Sequence, residues 1–116
     1  MAETFNNAKA ALTTSAASVY QAPNNASTDR AVVISLRCVN VDGTNAANIF
    51  AYVANSSDVE QIKLAHELSL PADSVLELAG TSKIILLQGE KIFMSASANS
   101  NNLKADTHAN EISYVT

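Results

Sequence analysis

LSLPADSVLELAGTSKIILLQGEKIFMSAS, from Leu68 to Ser97, is the stretch on which the reading of this chain turns. It holds three short apolar runs, Val75 to Leu78, Lys83 to Leu87 and Lys91 to Ser97, separated by Gly80 and by Gln88-Gly89-Glu90. That spacing is what consecutive strands need. No catalytic signature lies within it.

Working back toward the amino terminus, Gln61 to Leu70 fits either an amphipathic helix or a strand, and the strand pattern matches better. It sets Ile62, Leu64, Leu68 and Leu70 on one side with Lys63, Glu67 and Ser69 on the other, and it stops at Pro71, which forces Leu70 into extended geometry. Ala31 to Val41 is rich in β-branched residues and reads as the longest, most central strand, with Val32, Ile34, Leu36 and Cys38 sharing a face. Asp42-Gly43 then predicts a hairpin, with Ile49 to Ala54 returning as its partner. An earlier strand, Ala16 to Gln21, is closed by the turn residues Ala22-Pro23-Asn24-Asn25.

Downstream, residues 99 to 110 are polar enough to read as a long loop or edge, and Glu111 to Val115 as the last strand. About eight strands with hardly any helix signal predict an all-β, antiparallel β-sandwich, jelly-roll or immunoglobulin-like. The expected core is Val32, Ile34, Leu36, Ile84, Leu86, Ile92, Met94 and Tyr114. Residues 16–116 form that domain, and residues 1–15 precede it as an extended arm too apolar for a solvated tail. Phe5 and Leu12 in the arm are the candidate subunit contacts, laid across a neighbouring copy.

Composition narrows the function. At 116 residues the chain is one domain with a sufficient core, and a single Cys38 allows no internal disulfide. With 7 basic and 11 acidic residues and a net charge of −4, no basic cluster exists to follow a phosphate backbone, so no nucleic-acid partner is expected. The start has an acidic residue where a secretory signal carries positive charge, and no run is long enough for a membrane span, so no membrane partner is expected either. Charged residues are only 16% of the chain, and a surface so poor in charge suits lasting contact with neighbours.

Single residues that carry chemistry elsewhere have plainer readings here. Cys38 alternates with Ile34 and Leu36 and is a small buried hydrophobe. His66 and His108 lack a third ligand, so neither metal nor cofactor is implied. Asp42, Thr44, Asn45 and Asn48 lack the acidic density of a calcium loop and are turn residues. Asp58, Glu60 and Glu77 offer no fixed carboxylate pair, and catalytic residues are absent by this reading.

Leu-Pro-Ala-Asp-Ser at 70–74, Ile-Ile-Leu-Leu-Gln-Gly-Glu-Lys-Ile at 84–92, Ser-Ala-Ser-Ala at 95–98 and the closing Ile-Ser-Tyr at 112–114 carry a family resemblance. Together with VVISLRCVNVDGTNAANI at 32–49 and Val-Tyr-Gln-Ala-Pro at 19–23, the chain resembles small virion structural proteins of tailed bacteriophages. The resemblance implies a non-enzymatic β-sandwich of the virion. Its partners would be copies of itself and other virion proteins of the capsid, the portal and neck, or the tail, where it would act as a decoration or ring component. The alternative is a receptor- or carbohydrate-binding module of a phage tail. Such a module should carry exposed aromatics in loops, and every Phe and Tyr but Phe5 falls in an expected strand.

Overall fold

The computed structural model describes residues 2–25, 27–79, 83–97 and 103–113. Among these residues nine strands follow one another without a helix: β1 (Ala2–Ala11), β2 (Ala17–Gln21), β3 (Arg30–Asn40), β4 (Ala47–Ala54), β5 (Glu60–Leu70), β6 (Ser74–Glu77), β7 (Ile84–Leu86), β8 (Lys91–Ala96) and β9 (Leu103–Ser113). They build two antiparallel sheets. Sheet A runs β1-β9-β3-β6, with β7 also paired to β3, and sheet B runs β2-β8-β4-β5. The all-β sandwich expected from the sequence is the fold. Four strands of ten or eleven residues stretch it to 52 × 25 × 22 Å.

The period-2 patterning of the strands produces the core between the sheets. In β4 and β8 every second residue is buried, which puts Ile49, Ala51 and Val53 with Ile92, Met94 and Ala96 on the inner face of sheet B. Sheet A answers with Ala31, Val33, Leu36, Cys38, Ala105 and Ala109. Gly89 sits in the turn between β7 and β8 at φ +70, where a Cβ would stand 2.8 Å from Asn24 Oδ1, so both conformation and space call for glycine.

Four expectations need correction. Residues 2–11 are not a free arm but an edge strand, paired with β9 from Ala2↔Ser113 to Ala11↔Lys104, so the sandwich does have intrachain room for them. The polar piece expected as a loop up to residue 110 is, from Leu103 onward, the inner strand β9. Its core-facing positions Ala105, Thr107 and Ala109 are small, which hid the alternation from a search for large apolar residues. Tyr114 lies outside the described residues.

The third correction concerns the Asp42-Gly43 turn. It does not close a hairpin, because β3 lies in sheet A and β4 in sheet B. The chain crosses between sheets here, and the buried Asn40 fastens the crossing. Its Nδ2 donates to the carbonyls of Asn45 (3.0 Å), Leu70 (3.3 Å) and Pro71 (3.3 Å), while its Oδ1 accepts from the Asp42 N–H (3.0 Å).

The fourth is a phase error in β3. A β-bulge between Val33 and Ser35 shifts the register against β9, so Ala31 and Val33 are buried before it and Leu36 and Cys38 after it. Val32 and Ile34 therefore leave the expected core, whereas Leu36, Leu86, Ile92 and Met94 are in it and Ile84 packs against it. Strand β5 is disturbed in the same way. It shows three register shifts against β4, and its Ile62 and Leu68 face solvent while Ala65 and Leu70 are buried.

Candidate functional site

Several titratable residues have structural roles. Cys38 is fully buried, and burial first, then the nearby Glu77 carboxylate, pushes its thiol up to about 12, which leaves it inert as a nucleophile. Burial acts to raise the Glu77 carboxyl, but hydrogen bonds from the Ser35 hydroxyl and the N–H groups of Leu36, Ala79 and Leu78 outweigh it and hold the group below the usual carboxylate range. The bonds from Ser35 (2.7 Å) and Leu36 (2.8 Å) pin the bulge in β3 from the adjoining strand β6. Asp58 pairs with Lys91 at 2.6 Å and Glu60 with Lys63 at 3.1 Å.

Asp42 organises its own turn, with Oδ1 accepting from the N–H groups of Thr44 (2.9 Å) and Asn45 (3.1 Å). His66 lies exposed in the edge strand β5 and meets Phe50 edge-on at 5.7 Å. His108 lies in β9, not in a loop, at a register position between Asn7 and Ser35. Among the described residues no group of three or more His, Cys, Asp or Glu is gathered closely enough to hold a metal ion.

What the fold arranges instead is surface. Cross-strand partners share a face of a sheet, so registers can be read across strands. On the outer face of sheet A one row runs Phe5–Asn110–Val32–Ile85, with Phe5 78% and Ile85 65% exposed. A second row runs Lys9–Asp106–Arg37–Glu77, alternating in formal charge across four strands. Between the two rows lies a polar one, Asn7–His108–Ser35. Val75, also on this sheet opposite Val39, and Leu87 just beyond β7 are further exposed apolar residues.

The structure divides the two arm residues. Phe5 projects from β1 to solvent, whereas Leu12, 1% exposed, belongs to the chain's own core just past the end of β1. Sequence reading missed the outer face of sheet B. There Tyr52 stacks on Phe93 at 5.2 Å and 9°, next to Phe50 and His66, because these aromatics alternate with the buried residues of β4 and β8. A strand position does not by itself bury a ring.

The sheet edges differ from one another. In sheet A, β6 and β7 share one edge and are four and three residues long. In sheet B, β2 has five residues and a register shift, and β5 is broken by three shifts and by Glu67 at φ 53. Among the described residues only β1 presents an unbroken edge, ten residues long without a shift. Short strands and bulges discourage edge pairing, and β1 has neither.

No protein-family model matches the chain, and no curated protein matches it in sequence. Solved structures do match in fold. A chain from Bacillus endospore appendages, described as a novel family of disulfide-linked pili, superposes with a TM-score of 0.51 at 13% identity, over 95% of this chain and 84% of that one. A chain of the T13 particle of IBDV, an icosahedral virus, superposes with a TM-score of 0.54 at 9% identity, over 95% of this chain but only 31% of the viral one. At such identities the likeness is one of fold: the chain has the sandwich found in an appendage subunit and in part of a viral particle chain.

Proposed function

We propose that this protein is a non-enzymatic structural subunit of a tailed-phage virion, self-associating and attached to the capsid or to the neck and tail as a decoration or ring component. The observation that carries the reading is the row Phe5–Asn110–Val32–Ile85 on the outer face of sheet A, with the exposed Phe5 and Ile85 at its two ends. Exposed apolar residues gathered on one face mark an interaction surface. The fold likeness to subunits of an appendage and of a viral particle supports the same reading. Residues 1–15 are the segment through which neighbours meet, with Phe5 as the contact and Leu12 as its anchor in the subunit's own core. Cys38 is buried, so subunits join without the disulfide linkage named for the pili.

Mass spectrometry of purified particles from cells expressing this gene tests the proposal. The chain should be present in a fixed copy number per particle and remain through a density gradient. Abundant protein in the lysate with none in the purified particles overturns it.

The second reading, a carbohydrate- or receptor-binding module, is favoured by the Tyr52–Phe93 stack with Phe50 and His66 on sheet B. Glycan-array binding lost on Tyr52→Ala, with melting unchanged, is the outcome that selects it.

A further inference from the structure

We infer that β1 is the docking edge for a second copy of this chain, which adds its own β1 antiparallel so that two A sheets run together through a two-fold axis. This deepens the reading of the protein as a self-associating subunit and rests on it. Strand addition needs an unprotected edge whose N–H and C=O groups can accept a ladder. Among the sheet edges described above, only β1 is both long and free of register shifts, and the Asn7 N–H, held by Asn6 Oδ1 at 2.9 Å, is the one that the incoming strand must take over from a side chain.

The occupant follows from self-complementarity. In an antiparallel β1–β1 pair the two residue numbers have a constant sum, and that sum must be even, or core-facing residues such as Ala8 and Ala10 would fall beside outward-facing ones such as Phe5. A sum near 12 or 14 overlaps nearly the whole strand, and 12 sets opposite charges together. It places Glu3 against the partner's Lys9, Lys9 against the partner's Glu3, and Phe5 against the partner's Asn7, with the two copies of Asn6 facing each other on the axis. Opposite-charge pairs directly across strands stabilise, like pairs destabilise, and the two Phe5 rings become diagonal neighbours within reach of contact. The Phe5 rows of the two copies then lie side by side across the axis, offset by one diagonal step. An isologous contact of this kind closes on itself as a dimer, which is the commonest oligomer symmetry.

Analytical ultracentrifugation of the full chain supplies the test, with Lys9→Glu, Glu3→Lys and the double exchange compared with wild type. Each single exchange puts like charges together twice per dimer and should weaken dimerisation about tenfold or more, and the double exchange should restore it. Asn6→Cys should form a disulfide-linked dimer under mild oxidation, since facing Cβ atoms lie roughly 4.5–5.5 Å apart, whereas Thr4→Cys, displaced from the axis, should not. Association that ignores the charge exchanges, with no cross-link through Asn6→Cys, overturns the β1 edge while leaving a self-associating subunit intact. A wild-type chain that stays monomeric at every concentration and on the particle overturns both.

Discussion

Tyr20 Oη donates a 2.5 Å hydrogen bond to Glu111 Oε2, joining β2 of sheet B to β9 of sheet A across the end of the sandwich. Asn6 Nδ2 reaches the same oxygen at 3.3 Å, so β1 is drawn into the link. Burial of the Tyr20 ring, then its bond to Glu111 and the carboxylate's charge, pushes the phenol well above its ordinary range. Up to about pH 10 the phenol is protonated in folded and unfolded chains alike. Above it the unfolded chain releases a proton that the folded one keeps, so stability falls by about 1.4 kcal/mol per pH unit for this group. Urea titrations from pH 8 to 11 should show that decline, flattened in Tyr20→Phe, which at neutral pH should itself cost about 1.5–3 kcal/mol because the hydrogen bond is to a charged partner. An identical alkaline slope in the variant counts against the link.

The bulge in β3 makes neighbouring valines unequal. Val33 is buried and Val32 is not, so Val33→Ala should cost about 2 kcal/mol and Val32→Ala well under about 1 kcal/mol. Leu36→Ala, in the core beyond the bulge, should cost about 2–5 kcal/mol. Equal losses at Val32 and Val33 in chemical denaturation refute the register shift.

Glu77 holds that bulge from outside. Its carboxyl titrates below the usual range when folded, so its contribution is complete above about pH 4.3, the unfolded value, and is lost as pH falls through the lower folded value. Thermal melts from pH 6 down to 2 should show Glu77→Gln with a shallower acid loss than wild type. Parallel curves exclude the assignment.

Thr107 Oγ1 is buried at a core-facing position of β9 and, among the described residues, has no hydrogen-bond partner. Thr107→Val keeps the shape and removes the stranded hydroxyl, so it should raise stability by about 1 kcal/mol in urea titration. A loss instead indicates that the hydroxyl is bonded in solution.

Strand identity was legible wherever alternation involved large side chains, as in β4, β8 and the two arms of β3. It failed in β9, where Ala105, Thr107 and Ala109 fill the inner face: small residues alternate as regularly as large ones but leave too little hydrophobic contrast to see. The β3 bulge was hidden for another reason. Val32, Val33 and Ile34 are all strong strand formers, so nothing local says which of them is displaced, and the fastening carboxylate of Glu77 lies 42 positions from Ser35. The Asp42-Gly43 turn reads the same whether the chain doubles back or changes sheets, and only Asn40, reaching Leu70 and Pro71, separates the two. As for the candidate site, Phe5 was visible as an apolar residue out of place, but its row-mates Val32 and Ile85 emerge only once three registers are known.

The pairing of β1 with β9 sets a timetable for synthesis. The ribosome makes residues 2–11 about 100 residues before the strand that receives them, residues 103–113. At about 5–20 residues per second that interval lasts roughly 5–20 s. Throughout it the opening segment has no permanent place in its own molecule, and sheet A cannot be completed while the chain is still growing. Loop closure between such distant partners makes this a late step of folding. Nascent chains crowded on one message would therefore hold their first strands open to one another before each has a ninth strand of its own.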